Sequence, residues 1–447
     1  MSRKPVTTRT GRFFRLAGMT GSVASSYAAR KARGLFSEES EESRHEYYSR
    51  MAEEIVDTLG ELKGAVMKVG QIASQTQDFL PRELTDALQR LQKEAPAMEF
   101  AVIRQQIEHE LGDTVENLFA SIDETPYAAA SIGQVHAGQL HDGRDVVIKI
   151  QYPGVDRSCD SDLRQLRTAL RLGGLLKMPK ESVDELFNEV RDRLHEELDY
   201  ENEARNIHHF AQQHGGDDGI VIPEAVPECS SRRVLTMEKV EGDHINEVTR
   251  ERYDQATINL IGHRIFRTMA DGLFRHRCIH GDPHAGNFAY RPDGTVILYD
   301  FGCVKSLRPS TVAAYRNCIN DALNEDYAAL DQHLIHLGAR VEDHPPVDPD
   351  YYAMWRNILY QPFAPENQPY DFGQSDLHQQ VAAKTHTVFQ HLEAFKPPVE
   401  SILIDRMVAG HYWMLKRLGV KTDFRPLLEE YLAGDEEQRA TRKSLSS

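Results

Sequence analysis

Two short polar segments in the second half of the chain carry residues whose types and spacing suit phosphate and metal chemistry. Residues 280–287 read HGDPHAGN, and residues 299–302 read YDFG. An aspartate can orient an attacking hydroxyl, while an asparagine five positions later and the aspartate of a D-F-G sequence can hold Mg²⁺ on phosphate oxygens. We therefore predict that Asp282 is catalytic and that Asn287 and Asp300 bind the metal.

The order of these residues reproduces the catalytic-loop and metal-loop signature of protein kinases, but two other interpretations remain open. The segments can be polar turns beside a hairpin, with His280 and His284 as ordinary loop histidines. A metal hydrolase with His280, Asp282 and His284 as ligands is the other alternative, and the D-F-G sequence downstream argues against it.

A lysine upstream occupies the second strand of a predicted hairpin. Residues 135–140 and 146–150 alternate as strands do, and the Asp-Gly pair at 142–143 supplies the positive φ angles of a tight turn. Kinases place at this position the lysine that contacts the α- and β-phosphates. We therefore predict that Lys149 contacts the nucleotide and that a carboxylate of the helix that follows orients its ammonium group.

The predicted partner of this lysine lies on a long helix over about residues 182–210. Ser182 and Glu185 form the pattern of a capping box at its start. Asp199 and Glu203 are four residues apart and are expected to share a face, whereas Glu197 is expected to point elsewhere.

The segment before the hairpin has only one glycine where a protein kinase carries G-x-G-x-x-G. Methyl groups restrict the backbone there, so the nucleotide is expected to be held differently from that in a typical kinase. The predicted nucleotide contacts in this part of the chain are Ala128, Ala129, Ala130, Ser131, Ile132 and Gly133, with Glu238 and Val240 further along.

In combination, these motifs resemble the UbiB/ADCK family of atypical protein-kinase-like proteins, also called the AarF-domain family, over about residues 50–430. Residues 68–71 match its KxGQ motif, residues 128–133 its alanine-rich loop and residues 197–199 its ExD motif. The resemblance implies that an extension carrying KxGQ folds over the nucleotide site and blocks access for protein substrates. It adds to the expected nucleotide-site residues Lys68, Gln71, Glu197 and Asp199, and it implies that Glu203 is the helix carboxylate that orients Lys149.

The predicted architecture is an α+β, bilobal protein-kinase-like fold with a helical N-terminal extension. Apolar residues recur at helical spacing over 46–77. Helical patterns continue over 81–119, broken at Pro96, and Gly112 is expected to end the second of these helices. The expected parts are a basic segment (1–36), the helical extension (37–119), a kinase-like N-lobe with inserted helices (120–241), a mostly helical C-lobe (242–433) and a polar tail (434–447). A second hairpin is predicted around 292–294, and non-helical structure over the proline-rich stretch 343–371.

Composition and charge exclude several classes of protein. The 447 residues include 69 acidic and 52 basic ones, for a net charge of −17, which argues against a nucleic-acid binder. Five scattered cysteines without a C-x-x-C pair favour a reducing, cytoplasmic compartment. The last apolar helix, 402–418, is interrupted by charges and is expected to pack against the protein rather than enter lipid. The acid-free segment 1–36 carries eight basic residues and either contacts an anionic membrane or is a frayed tail.

The predicted function is an atypical kinase or ATPase that binds ATP (or ADP) with Mg²⁺ or Mn²⁺ between its two lobes. The acceptor is expected to be water or a small molecule of lipid, phenolic or quinone-precursor type. One alternative is a small-molecule phosphotransferase of the aminoglycoside or choline kinase type. The other is a non-catalytic, ATP-dependent binding protein with a chaperone-like role.

Overall fold

The computed structural model describes residues 97–433 except 131 and 173–179, residues 46–54, and nine positions upstream: 18, 19, 21–23, 25, 26, 83 and 86. The chain divides into two compact units. The first comprises Met1–His208 and Glu224–Lys239, and the second His209–Pro223 and Val240–Ser447. Residues 46–54 are helical, as predicted. Lys68, Gln71 and Ser131 lie outside the described residues.

An antiparallel sheet organises the first unit, in the order β1-β3-β4-β6 with β2 paired to β3. Its strands are β1 (Ser121–Ile122), β2 (Ala128–Ala130), β3 (Gly133–Gln139), β4 (Asp145–Gln151) and β6 (Val234–Glu238). The predicted hairpin is confirmed as β3 and β4, joined by a turn in which Gly143 has φ +90°. Strand alternation buries Val146, Ile148 and Ile150 in the core, so that Lys149 lies on the opposite face.

The helices of the first unit are α1 (Phe100–Leu111), α2 (Val115–Leu118), α3 (Val155–Leu172), α4 (Lys180–Glu197) and the first part of α5 (Tyr200–His214), whose residues from His209 on belong to the second unit. Gly112, with φ +74°, ends α1 where the sequence predicted a stop. The prediction of one helix over 182–210 is wrong, because the chain breaks at 198–199 and α5 begins afresh. Helix α3 was not predicted. The side chains of Ser182 and Glu185 are outside the described residues.

In the second unit, two small sheets are formed by strands that flank the predicted catalytic segments in the sequence. Strand β7 (Cys278–His280) pairs with β10 (Val304–Ser306). Strands β8 (Phe288–Tyr290) and β9 (Val296–Leu298) form the second predicted hairpin, with Gly294 at φ +88° in its turn. Strand β5 (Ile220–Val221) adds to β9 in parallel, which local sequence patterns could not indicate.

The rest of the second unit is mostly helical: α6 (Gln255–Ala270), α7 (Pro309–Leu323), α8 (Tyr327–Leu337), α9 (Pro349–Leu359), α10 (Leu377–Gln390), α11 (Val399–Leu418) and α12 (Arg425–Leu432), with β11 (Tyr370–Asp371) paired to β12 (Lys421–Thr422). Helix α9 corrects the prediction that 343–371 is non-helical. Pro349 lies in its first turn, where the backbone N–H that a proline lacks would have no partner within the helix. The Asp348 side chain accepts the N–H of Asp350 and caps the helix. Of the helices described, none has the length and apolar character of a membrane span.

Candidate active site

A bidentate ion pair joins Lys149 of β4 to Glu203 of α5 within the first unit. The Lys149 Nζ lies 3.0 Å from both Oε1 and Oε2 of Glu203. Glu203 is 2% exposed, and the lysine side chain is 15% exposed. Nζ also lies 5.1 Å from the centre of the Tyr200 ring. The two residues that the sequence predicted to act together are thus brought together, 54 positions apart in the chain.

The acidic ExD residues lie at the break between two helices. Glu197 is the last residue of α4, and Asp199 precedes α5. The Asp199 carboxylate accepts the backbone N–H of Asn202 at 2.9 Å. Asp199 therefore caps the helix on which Glu203 lies one turn later, and its carbonyl accepts the Glu203 N–H at 3.1 Å.

The alanine-rich segment forms a short edge strand rather than a glycine-rich loop. Ala128 pairs with Val135 and Ala129 with Gln134 across β2 and β3. Gly133 cannot carry a side chain, because a Cβ there would collide with the Ile150 carbonyl oxygen.

The remaining predicted nucleotide contacts already have partners in the fold. Ile132 is 2% exposed, and its carbonyl accepts the N–H of Tyr152 at 2.9 Å. A Glu238 carboxylate oxygen lies 3.4 Å from the backbone nitrogen of Glu224. In the second unit, the Val240 carbonyl accepts the Tyr299 hydroxyl at 2.8 Å.

Hydrogen bonds bring the predicted catalytic and metal residues of the second unit together. The Asn287 Nδ2 donates to the Asp282 carbonyl at 3.0 Å and lies 3.4 Å from its Oδ2. Across the base of the β8–β9 hairpin, the Tyr299 N–H donates to the Asn287 carbonyl at 3.0 Å, which places Asp300 at the same end of the hairpin. The Asp300 Oδ1 accepts the N–H of Gly302 at 3.0 Å.

The donor chemistry of this cluster fits a magnesium ion. Because the amide nitrogen of Asn287 is used on Asp282, its oxygen is the atom left to face a ligand. Asp300 supplies a carboxylate. Amide and carboxylate oxygens are the protein ligands that Mg²⁺ takes, usually one or two of them together with substrate phosphates.

His280, which the sequence analysis considered only as an ordinary loop histidine or as a metal-hydrolase ligand, contacts the backbone of both Asp282 and Asp300. It is 6% exposed, its Nε2 contacts the carbonyl oxygen of Asp300, and its Nδ1 lies 3.3 Å from the Asp282 nitrogen. This pairing requires the neutral tautomer with the proton on Nε2, and both ring nitrogens are engaged. The metal-hydrolase interpretation loses a ligand as a result. The sequence signal for this role was a histidine two positions before the predicted catalytic aspartate.

Aromatic packing surrounds this histidine. The rings of Phe301 and Phe210 lie 5.7 and 6.4 Å from the His280 ring. On the other side, His411 of α11 packs edge-on against Phe288 at 6.1 Å. Burial lowers the pKa of His411 to about 4, so that it is neutral at physiological pH.

Comparisons with known proteins identify a family for this chain. A family model described as the ABC1 atypical kinase-like domain matches residues 90–334. The chain is 29% identical over 86% of its length to the mitochondrial atypical kinase coq-8 of Caenorhabditis elegans, and 31% identical over 88% to the mitochondrial atypical kinase COQ8B of Danio rerio. It covers 52% and 62% of these two relatives, so it spans little more than half of their length.

A solved structure gives the same result for the fold. The complex of Rv3197 with erythromycin from Mycobacterium tuberculosis matches 88% of this chain and 98% of that one, at 27% identity and a TM-score of 0.60. The predicted α+β fold class of the protein-kinase type is confirmed.

Proposed function

The chain belongs to the ABC1 atypical kinase-like family, and we propose that it binds Mg-ATP and transfers the γ-phosphoryl group to water or a small molecule. In this reaction the bond between the γ-phosphorus and the β,γ-bridging oxygen breaks, and ADP leaves. A bond forms from the γ-phosphorus to the acceptor oxygen, whose proton passes to the Asp282 carboxylate. Asn287 and Asp300 hold the metal, which neutralises charge that develops on the phosphates.

The hydrogen bonds that bind Asn287 to Asp282 carry this proposal. They join a candidate base to a candidate metal ligand and direct the Asn287 amide oxygen away from Asp282. The bidentate Lys149–Glu203 pair supports it independently, because a buried carboxylate holds the ammonium in one position. In this proposal Lys149 contacts the α- and β-phosphates.

Metal-dependent ATP binding is the direct test. Thermal-shift titrations of the wild type with ATP should show stabilisation only when Mg²⁺ or Mn²⁺ is present, because triphosphate charge beside carboxylates needs a bridging cation. Asp300→Asn should abolish the shift. The matched control is Asp293→Asn, which keeps a Pro-Asn-Gly turn in the same hairpin and should respond like the wild type. Equal stabilisation of Asp300→Asn by Mg-ATP would disprove the assignment.

The acceptor is proposed to be a small molecule of lipid or quinone metabolism. Support comes from the family and from the relatives named as mitochondrial atypical kinases. ATP hydrolysis should be measured with and without anionic liposomes and phenolic quinone precursors, and stimulation is expected. ATP binding without any phosphate release or transfer would favour the binding-protein alternative.

Contact with an anionic membrane through residues 1–36 is a further part of the proposal. Eight basic residues at about 1 kcal/mol each near the surface are sufficient for salt-sensitive attachment. Liposome flotation should compare the wild type with a variant of equal length in which the eight basic residues are glutamine. Equal flotation of the two proteins would show that this segment does not bind lipid.

A further inference from the structure

The peptide group between Gly281 and Asp282 is held on both sides within the second unit. Its N–H lies 3.3 Å from the Nδ1 of His280, and its carbonyl oxygen accepts a hydrogen bond from the Arg406 Nη2 of helix α11. The guanidinium of Arg406 therefore donates a hydrogen bond to the peptide group that precedes the proposed catalytic aspartate.

Protein kinases carry an arginine at the position of Gly281, in the sequence H-R-D. Here a side chain would be crowded, because a Cβ on Gly281 would lie 2.8 Å from the Cys303 Sγ and 3.2 Å from the Cys303 oxygen. That Cβ position is 3.8 Å from the Arg406 Nη2. The guanidinium of Arg406, 125 residues later in the chain, thus lies beside the loop position at which protein kinases carry an arginine and this chain carries a glycine.

The packing of α11 determines where Arg406 lies. A Cβ on Gly410, one turn further along, would collide with Pro283 of the same loop. Ile404 and Met407, on either side of Arg406, belong to a core cluster with Leu273, Ile279, Leu307 and Val312. Because close-packed side chains cannot shift freely, the helix fixes the arginine against the loop.

The surroundings of Arg406 do not resemble those of a structural ion pair. Within the described part of the chain, no carboxylate lies at salt-bridge distance from it, and its buried Nε and Nη1 have no hydrogen-bond acceptor. Burying a cation without a carboxylate is unfavourable for stability. We therefore attribute the presence of Arg406 to its contact with the catalytic loop.

We propose that Arg406 is a positioning residue for phosphoryl transfer, which holds the Gly281–Asp282 peptide so that the Asp282 carboxylate faces the acceptor. The inference rests on the proposed function. It predicts that charge and geometry at Arg406 are needed for turnover, whereas the stability of the fold is not dependent on them.

The test compares Arg406→Met, Arg406→Lys and the control Arg417→Met. Methionine keeps most of the side-chain volume, and Arg417 lies exposed on the same helix. Arg406→Met should lower the kcat for ATP turnover by about 100-fold, as misplacement of a reacting group does, with KM for ATP within about twofold of the wild type. Its melting temperature should not fall, because an uncompensated cation is removed. Arg406→Lys should recover part of kcat, and Arg417→Met should match the wild type.

An unchanged kcat in Arg406→Met, or a loss of kcat that follows a loss of folded protein, would overturn the proposal. Hydrogen exchange separates this result from a failure of the proposed function. Peptides covering 278–287 should exchange faster in Arg406→Met than in the wild type, whether or not the protein turns over ATP. If the wild type shows no turnover but the exchange difference is present, the proposed function fails while the loop contact stands. Equal exchange in both proteins overturns the role of Arg406.

Discussion

The Asp199 carboxylate accepts the N–H of Asn202 at 2.9 Å, and this bond starts the helix on which Glu203 meets Lys149. The aspartate of the ExD motif thus has a structural task in the first unit. The family resemblance implies a second task at the nucleotide site, and the two tasks can be separated by mutation.

Asp199→Ala should lower the free energy of unfolding by about 1 kcal/mol, because an N-cap hydrogen bond is lost. Asp199→Asn keeps a good capping residue and should be nearly as stable as the wild type. Denaturant unfolding of both variants checks this. If the carboxylate also serves the nucleotide site, Asp199→Asn should change ATP affinity although its stability is retained. Equal destabilisation of the two variants would contradict the capping role.

The Lys149–Glu203 pair should show strong energetic coupling. Glu203→Leu leaves an ammonium that is only 15% exposed without its carboxylate, and should cost about 3 kcal/mol of stability. The double variant Lys149→Met/Glu203→Leu should be more stable than Glu203→Leu alone, because the ammonium that loses the Glu203 carboxylate is also removed. A double-mutant cycle by urea unfolding measures the coupling. Additive effects of the two changes would rule out the pair as an energetic unit.

Stability should fall in mild acid partly because of His411. Its pKa is lowered to about 4 by burial, whereas in the unfolded chain it is near 6.5. The unfolded state therefore binds the proton first, so stability is complete above pH 6.5 and decreases as the pH falls towards 4, by up to about 3 kcal/mol.

Urea unfolding at several pH values checks this expectation. His411→Gln should show a shallower loss of stability between pH 6.5 and 4 than the wild type does. His386→Gln, at an exposed position of α10, is the control and should keep the slope of the wild type. Parallel curves for the wild type and His411→Gln would refute the assignment.

Arg340 is expected to be a main stabilising residue of the second unit. Its side chain is 1% exposed and bonds the Asp331 carboxylate at 3.0 Å and the Val341 carbonyl at 2.7 Å. Arg340→Met should cost about 3 to 5 kcal/mol, because Asp331 loses its cation. The exposed pair of Arg308 with Glu400 offers the comparison, and Arg308→Met should cost less than about 1 kcal/mol by calorimetry or urea unfolding. Similar losses in both variants would contradict this difference.

Local patterns in the sequence were sufficient for several parts of the fold and the site. Alternation and Asp-Gly pairs predicted both hairpins, since a strand shows its two faces at every second residue and a tight turn needs positive φ. Gly112 marked the end of α1, since a glycine readily adopts the positive φ with which many helices end. Residue types and spacing also selected Lys149, Asp282, Asn287 and Asp300, because phosphate and metal chemistry accepts few residue types. The family resemblance added Glu203.

Tertiary structure alone decided the rest, because those features depend on contacts between distant parts of the chain. The break that makes Asp199 a cap is invisible to helical periodicity, which runs through 182–210 without interruption. The parallel pairing of β5 with β9 joins residues some 75 positions apart. Arg406 is one of five charged residues on α11, and only the packing of this helix brings its guanidinium to the Gly281 carbonyl. The sequence alone thus identified the groups that can do chemistry, whereas long-range packing selected the residues that position them.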